Sequence, residues 1–207
     1  TMTTFQLGYA PDDWHRLHHY LEQEGFGVEE MLAAGVLSSS DQGRVYDRFR
    51  GRVLFPIRDR QGHIIGFGGR VLDDSTPKYL NTPQTDLFDK SSVLYGVDLA
   101  RQAIRETGSV IIVEGYMDVI IPYQAGVTNL VACMGTALTE QHIDILKGMA
   151  DRLILALDPD EAGMRAVAKG TRVTITVSKG QPKVTVPDVV GLSASDAAGQ
   201  LRGHLAH

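Results

Sequence analysis

The stretch S-V-I-I-V-E-G-Y-M-D, Ser109 to Asp118, places four apolar residues directly before a glutamate, a glycine and a second carboxylate. A short continuous apolar run between polar residues predicts a strand buried on both faces, as in a parallel sheet. Glu114 would then stand at the carboxyl end of that strand, where open α/β sheets hold their sites. An ordinary strand that ends in a solvated turn is the alternative, and this stretch alone does not decide between them.

The sequence around this stretch alternates between apolar strands and amphipathic helices. The predicted strands are Val110–Val113, Asn129–Cys133 and Arg152–Leu157, and the predicted helices are 97–106, Asp118–Gln124 with an interruption at Pro122, and Thr139–Met149 with Thr139 as its cap. Such alternation predicts a parallel sheet with helices on both faces. His142, in the first turn of its helix, is expected to face solvent.

The N-terminal half contains an arginine-rich segment. A helix is predicted over residues 11–24, capped by Asp12 or Asp13. Two strands joined by a hairpin are predicted at 53–59 and 64–70, within an arginine-rich segment from Gly43 to Arg70. These arginines fit either a solvated face or contacts to phosphate, and their density in an acidic protein favours phosphate.

A polar loop from Thr76 to Thr82 follows the two strands. Its lysine, Lys78, could hold a phosphate, Tyr79 could stack on a base, and Asn81 could bind a base or ribose. Lys90 offers a second cation a few residues later. By composition alone the segment from Thr76 is simply a surface loop.

Composition limits the class of protein. The 207 residues carry a formal net charge of −5, which argues against a globally basic nucleic-acid binder but leaves room for a local basic patch. The single cysteine, Cys133, excludes a disulfide framework within this chain and agrees with a cytoplasmic protein. We expect neither a signal peptide nor a membrane span, because no apolar run is long enough.

Three carboxylates close two of the predicted strands: Glu114 follows one, and Asp158 and Asp160 follow another. Carboxylates that converge on one sheet edge repel each other unless a cation neutralises them, and an all-oxygen ligand set suits Mg²⁺ or Mn²⁺. Such a metal can activate a hydroxyl and hold a leaving phosphate. The alternative is an acidic helix N-terminus at Asp160, stabilised by the helix dipole.

Glu114-Gly115-Tyr116-Met117-Asp118 followed by Asp158-Pro159-Asp160-Glu161-Ala162-Gly163 resembles the TOPRIM signature. From residue 5 to residue 170 the chain is similar to the RNA-polymerase core of bacterial DnaG-type primases. The motifs that carry this similarity are Tyr46-Asp47-Arg48-Phe49-Arg50, Phe55-Pro56-Ile57-Arg58-Asp59, Ile65-Gly66-Phe67-Gly68-Gly69-Arg70 and Pro77-Lys78-Tyr79-Leu80-Asn81. The resemblance implies an α/β fold: a TOPRIM domain at 108–170, with its parallel sheet covered by helices on both faces, after a smaller basic α+β subdomain at 1–107.

The same resemblance implies a role for each candidate residue. Glu114, Asp158 and Asp160 would bind Mg²⁺ or Mn²⁺ with Asp118 in support, Lys78, Tyr79, Asn81 and Lys90 would bind the nucleotide, and Arg48 and Arg50 would hold single-stranded DNA. The implied activity is metal-dependent synthesis of short RNA primers from nucleoside triphosphates on a single-stranded template during replication. A basic face for polyanions and a carboxylate site for metal are both requirements of phosphoryl transfer.

The sequence also departs from the family. We do not find the family's zinc-binding module, the first part of its core, its later D-x-D-P-D cluster or the domain that binds the replicative helicase; Asp188 is a poor substitute for that cluster. Residues 171–207 resemble fragments of PASTA repeats, as in a chimera, although Thr171–Val177 could add a strand to the sheet. A catalytically incomplete fragment that binds metal, nucleotide or single-stranded DNA without turnover is therefore the alternative function.

Overall fold

The computed structural model describes residues 1–135 and 138–157. Asp158, Asp160 and the predicted tail at 171–207 lie outside these residues. The described strands are β1 (Gly8–Ala10), β2 (Leu37–Ser39), β3 (Val45–Asp47), β4 (Arg52–Arg58), β5 (Ile64–Val71), β6 (Tyr79–Asn81), β7 (Ser109–Val113), β8 (Leu130–Ala132) and β9 (Arg152–Leu155). The described helices are α1 (Met2–Phe5), α2 (Arg16–Gln23), α3 (Val28–Ala33), α4 (Val97–Thr107), α5 (Tyr116–Gln124) and α6 (Glu140–Lys147).

An antiparallel sheet with the order β1-β4-β5-β6 forms the N-terminal part, beside the small β2-β3 pair. Strands β4 and β5 form the predicted hairpin, with Arg52 opposite Val71 at one end and Arg58 opposite Ile64 at the other. The Asp59 carboxylate stabilises the turn, because it accepts hydrogen bonds from the backbone N–H groups of Gln61 and His63 at 2.8 and 2.9 Å. The hairpin prediction is therefore confirmed.

A parallel sheet with the order β8-β7-β9 forms the C-terminal part, so β7 is its central strand within the described residues. Side chains of β7 alternate between two apolar clusters. Val110 and Ile112 pack with residues of α4 and α6, and Ile111 and Val113 pack with residues of α5. The predicted α/β fold, with helices on both faces of a parallel sheet, is confirmed.

The second of these clusters joins the two sheets. Phe55 of β4 and Phe5 of α1 pack in it with Val113, Tyr116 and Val119 from the C-terminal part. Because all five side chains are at least 95% buried, the cluster forms a continuous core across residue 107. The end of β7 is thereby held against the antiparallel sheet.

Several element boundaries differ from the sequence prediction. Helix α2 begins at Arg16 rather than residue 11, and its N-cap residue is His15 instead of Asp12 or Asp13. Asp13 accepts the His15 N–H at 2.9 Å, just before the helix. The Asp47 carboxylate, brought in by β3, accepts from the backbone N–H groups of Leu17 and His18 at 2.7 and 2.9 Å. This carboxylate satisfies the first turn from a distant part of the chain, which no local pattern could reveal.

Two further boundaries also need correction. The predicted loop at 76–82 contains strand β6, which pairs with β5 at Gly68, Gly69 and Arg70. Helix α5 starts at Tyr116, two residues earlier than predicted, and continues through Pro122 to Gln124. None of the described helices is long and apolar enough to cross a membrane.

Candidate active site

Glu114 directly follows β7 at the edge where the parallel strands end. The residue that follows β8, Cys133, lies beside the end of β7, because it donates its backbone N–H to the Val113 carbonyl at 3.2 Å. The chain leaves β9 on the other side, where the Ala156 N–H donates to the Ile112 carbonyl at 2.9 Å. Glu114 is partly buried at this edge.

Glu114 lies close to the buried thiol of Cys133. Burial, reinforced by the nearby Glu114 carboxylate, raises the pKa of the Cys133 thiol to about 12. The thiol therefore stays protonated near neutral pH and is a weak nucleophile and metal ligand. Oxygen ligands, rather than sulfur, characterise this edge.

Asp118 lies one turn into α5 and caps that helix. Its Oδ2 accepts the Gly115 N–H at 2.9 Å, and its side chain is exposed. This bond fixes the backbone of the turn that carries Glu114. The structure therefore gives Asp118 a local positioning role next to the predicted ligand.

The predicted metal site can be assessed only in part. Glu114 and Asp118 supply carboxylate oxygens at one edge, a donor set that suits Mg²⁺ or Mn²⁺. Asp158 and Asp160 follow β9 in the sequence but lie outside the described residues. Within residues 1–135 and 138–157, no group of three or more His, Cys, Asp or Glu side chains is placed to hold a metal ion. The three-carboxylate site therefore stays a prediction.

Tyr116 was not singled out by the sequence analysis, yet it joins the two sheets. Its ring stacks on Phe55 at a centroid distance of 4.8 Å and meets the edge of Tyr95 at 4.7 Å. It lies directly under Gly68, and burial raises the pKa of its hydroxyl well above the ordinary value. The phenol is therefore a neutral hydrogen-bonding group rather than a nucleophile.

Asn81 connects the Tyr116 hydroxyl with the predicted nucleotide-binding lysine, Lys90. A lysine ammonium can only donate, so the amide oxygen of Asn81 faces Lys90 Nζ, at 3.3 Å. In that orientation the amide nitrogen donates to the Tyr116 hydroxyl at 2.8 Å. Two predicted nucleotide-binding residues, Asn81 and Lys90, are thus brought together beside the turn of Glu114.

The backbone at Lys90 is held by His142, which the sequence analysis placed at the surface. That expectation is wrong, because His142 has no exposed area. Its Nε2 lies 3.0 Å from the Lys90 carbonyl, and its Nδ1 accepts the Thr139 N–H at 3.3 Å. Burial lowers the pKa of His142, and the two contacts require a neutral ring with its proton on Nε2.

Thr139 reinforces the same contact from the cap of α6. Its hydroxyl donates to the Ser91 carbonyl at 2.5 Å and accepts the His142 N–H at 3.1 Å. The predicted cap is therefore confirmed, and it has a second partner that lies 48 residues away. Together Thr139 and His142 fix the segment that carries Lys90.

Arg48 and Arg50, the predicted DNA contacts, both have partners within the protein. Arg48 donates from Nε and a terminal nitrogen to the Asn81 carbonyl at 3.1 and 2.8 Å. Arg50 donates to the Asp47 carbonyl, and its guanidinium lies 3.9 Å from the centroid of the Trp14 ring. Arg48 therefore positions Asn81, whereas Arg50 is stacked on Trp14. Their contact with DNA stays a prediction.

Two other arginines of the basic segment are structural. Arg52 is buried and donates to the Pro77 carbonyl at 2.9 Å, which anchors the chain before β6. Arg58 is also buried and donates to Gln6 Oε1 at 2.6 Å, with Asp98 Oδ2 3.6 Å from its other terminal nitrogen. Arg52 and Arg58 therefore stabilise the fold, and they neither face solvent nor contact phosphate.

Lys78 and Tyr79, two other predicted nucleotide-binding residues, are both exposed. Tyr79 keeps 40% of its surface exposed and stacks beside Tyr116 with a centroid separation of 6.2 Å. The Arg70 guanidinium lies 5.7 Å from the Tyr79 centroid. Lys78 is exposed. Tyr79 thus offers an aromatic face beside Tyr116, while the nucleotide-binding role of Lys78 stays a prediction.

Comparison with known proteins gives a consistent result. Residues 1–101 match the family described as DNA primase catalytic core, N-terminal domain, and residues 108–186 match the Toprim domain family. The chain is 50% identical over 172 residues to a DNA primase of Deinococcus radiodurans, which covers 82% of this chain and 30% of that protein. The chain thus spans less than a third of the curated relatives that it matches.

Solved structures agree with these matches. The chain is similar to the RNA polymerase domain of Mycobacterium tuberculosis primase DnaG, with 37% identity and a TM-score of 0.76 over all of this chain and 71% of that one. It is also similar to a DnaG primase catalytic domain bound to single-stranded DNA, with 44% identity and a TM-score of 0.71 over 80% of this chain and 51% of that one.

Proposed function

This chain belongs to the family of bacterial DnaG-type primases, and from that membership we propose that it carries out metal-dependent synthesis of short RNA primers on single-stranded DNA. Nucleoside triphosphates would be its substrates, and the bacterial cytoplasm its compartment. The proposal concerns the whole reaction, of which this chain would supply the nucleotide site and part of the metal site.

The observation that carries the proposal is the contact of Asn81 with both Lys90 and Tyr116. Lys90 is a cation suited to a triphosphate, and Tyr116 lies two residues after Glu114. A single amide therefore couples the polyanion-binding side of the molecule to the carboxylate edge. Nucleotidyl transfer needs these two regions side by side, because the residues that bind the phosphates and the carboxylates that bind the metal must both act at one reacting phosphorus atom.

Each group has a physical task in this scheme. Lys78 and Lys90 would neutralise the phosphates of an incoming nucleotide, and Tyr79 would stack on its base. Glu114, with Asp158 and Asp160, would hold Mg²⁺ or Mn²⁺, which when bound would lower the pKa of the attacking hydroxyl and stabilise the leaving phosphate. Asp118 would keep the backbone of Glu114 in place through its bond to Gly115.

Primer synthesis is tested by Glu114→Gln, which removes a charge at nearly constant volume. We expect labelled primer on a single-stranded template from the unmodified chain and none from the variant. Asp151→Asn is the matched control, since Asp151 is an exposed carboxylate beyond the opposite end of β7. Primer synthesis by Glu114→Gln at the rate of the control would overturn the proposal.

A second outcome of the same assay addresses the catalytically incomplete alternative. If the unmodified chain binds Mn²⁺ and nucleotide but gives no labelled product, the chain is a binding module and not a polymerase. Mn²⁺ titration should then still separate Glu114→Gln from Asp151→Asn. Equal Mn²⁺ affinity in both variants would contradict the metal site itself.

Template binding can be tested through the single tryptophan of the chain, Trp14. Because Arg50 lies over its ring, a phosphate that draws Arg50 away should change the Trp14 emission. We expect single-stranded DNA to change that emission in the unmodified chain and to have little effect in Arg50→Gln. An equal response in both proteins would remove Arg50 from the template path.

A further inference from the structure

A second basic pocket lies apart from the candidate active site. It has a volume of about 270 Å³ and is lined by three arginines, Arg60, Arg101 and Arg105, together with Asp144. Arg60 belongs to the turn between β4 and β5, and the other two arginines lie one turn apart on α4. The pocket therefore forms where the hairpin turn, α4 and the end of α6 meet.

Among the described residues, ion pairs do not balance the positive charge of the three arginines. In the part of the chain that the structure describes, no carboxylate forms an ion pair with any of the three guanidinium groups. Asp144 is 3.2 Å from Lys147 Nζ, so its charge is already shared with another cation. Three unpaired arginines in one concavity are unexpected in a chain whose net charge is −5.

One of these arginines is also fixed in position. Arg101 donates from a terminal nitrogen to the Arg60 carbonyl at 2.8 Å, which ties α4 to the hairpin turn. Among the described residues, the remaining nitrogens of Arg101 and the side chains of Arg60 and Arg105 have no hydrogen-bond acceptor, which leaves these donors for a ligand. Guanidinium groups are well suited to phosphate because their donors form a planar fork.

The pocket lies at the opposite end of the parallel sheet from Glu114. Arg105 is in the last turn of α4, which leads through Gly108 to the first residue of β7. Gly148, at the end of α6, also lines the pocket, and the chain continues from there to the first residue of β9. A ligand here would not reach the carboxyl edge of the same strands.

We propose that this pocket binds phosphate groups, as a site separate from the nucleotide and metal site. The described residues that line it include no aromatic ring on which a base could stack, and its apolar contribution comes from Ile145 and Met149. The recognised chemistry is therefore the phosphate itself, either in the backbone of a nucleic acid or as a free polyphosphate. The inference does not depend on catalysis, because it concerns binding at the other end of the sheet.

The test measures binding of pyrophosphate by calorimetry and of a fluorescent oligothymidylate by anisotropy, with the full chain. Arg105→Gln removes one exposed guanidinium that has no bonding partner among the described residues, and Arg16→Gln, an exposed arginine on α2, is the matched control. We expect pyrophosphate affinity to fall by about threefold or more in Arg105→Gln relative to Arg16→Gln, as for an exposed charge pair.

Two further variants sharpen the assignment. Asp144→Asn should strengthen pyrophosphate binding, because it removes a carboxylate that lines the pocket. Lys90→Gln, which alters the candidate active site, should weaken only the pyrophosphate binding that belongs to that site, so Arg105→Gln should weaken binding further when it is added to Lys90→Gln. If Arg105→Gln has no effect in the Lys90→Gln background, the phosphate belongs to the active site and the proposal is overturned.

The oligonucleotide identifies the source of the phosphate. If a nucleic-acid backbone occupies the pocket, the slope of log K against log salt concentration for oligothymidylate binding should become less steep by about 0.7 in Arg105→Gln. If only pyrophosphate binding weakens, the ligand is a free polyphosphate. Binding of both probes to Arg105→Gln and Arg101→Gln as tightly as to Arg16→Gln would overturn the proposal.

Discussion

Gly68 of β5 lies against the ring of Tyr116, and the closeness of that contact makes Gly68→Ala a sensitive test of the fold. A methyl group built at Gly68 would lie 2.7 Å from Cε2 of Tyr116 and closer still to its Cζ and hydroxyl oxygen. Real side-chain carbons do not approach so closely, so either the ring or strand β5 must move. The ring has little freedom, since Phe55 stacks on one side and Tyr95 meets it from another.

The size of the effect follows from these contacts. Overpacking a closed interior by one methyl group destabilises a protein by about 1–3 kcal/mol. Replacing glycine with alanine otherwise stabilises by about 0.4–1 kcal/mol, because the unfolded chain loses freedom. We therefore expect Gly68→Ala to lower the free energy of unfolding by roughly 1–2 kcal/mol, which shifts the urea midpoint by roughly 0.5–1 M.

Gly8→Ala is the matched control, because Gly8 lies in β1 of the same sheet and its added methyl group would lie 3.8 Å from Leu54 Cβ, an ordinary contact. Its urea midpoint should stay the same or rise. Combining Gly68→Ala with Tyr116→Phe removes the clashing hydroxyl but leaves Cζ, so the double variant should be more stable than additivity predicts. Equal midpoints for Gly68→Ala and Gly8→Ala would refute the reasoning.

Two other predictions concern polar groups with distant partners. Asp47→Asn should destabilise the chain by about 1–2 kcal/mol, because the charged cap of α2 is lost, whereas Asp13→Asn should have little effect on the urea midpoint. His142 has a lowered pKa in the folded chain, so the folded state binds its proton less readily than the unfolded state does. The stability that its neutral form contributes should be complete above the ordinary histidine pKa, about 6.5, and should fall as the pH drops below it. Urea titrations between neutral and acid pH should show this loss of stability. The loss should be smaller in His142→Gln, whereas a control variant of the exposed His63 should lose as much stability as the unmodified chain. If stability falls with pH as steeply in His142→Gln as in the unmodified chain, the burial argument is contradicted.

The parts of the fold that the sequence predicted correctly depend on neighbours in the chain. Strand β7 is an unbroken apolar run, the hairpin between β4 and β5 has its turn residues in place, and Thr139 caps α6 three residues before His142. Each of these signals is complete within about ten residues. The spacing of apolar residues and the identity of turn and cap residues were therefore sufficient to predict the parallel sheet and its central strand.

The errors arose where a side chain's partner is far away in sequence. Asp47 caps a helix about 30 residues earlier, and His142 bonds to a carbonyl 52 residues earlier. Strand β6 has only three residues, so its pairing with β5 decides its conformation more than its own composition does. A polar residue with such a partner is indistinguishable in sequence from one that faces water.

The candidate site shows the same division. Asn81 and Lys90 were selected first by their side-chain chemistry and then by resemblance, and the structure brings them within 3.3 Å of each other. Tyr116, which joins Asn81 to the carboxylate turn, was not selected because a tyrosine after Glu-Gly has no distinctive local pattern. The convergence of Glu114 with Asp158 and Asp160 depends on residues beyond 157 and stays a prediction.

The aromatic core that crosses residue 107 limits how the two halves of this chain could be exchanged between proteins. The ring of Tyr116 fits only against a residue without a side chain, and Gly68 is that residue. Gly68 lies in the segment that matches the primase N-terminal family, whereas Tyr116 lies in the segment that matches the Toprim family. A recombination event that moved only the parallel sheet into another protein would separate this pair and expose the buried rings. Inheritance should therefore keep the glycine strand and the tyrosine turn together, and a change at either position should be followed by a compensating change at the other.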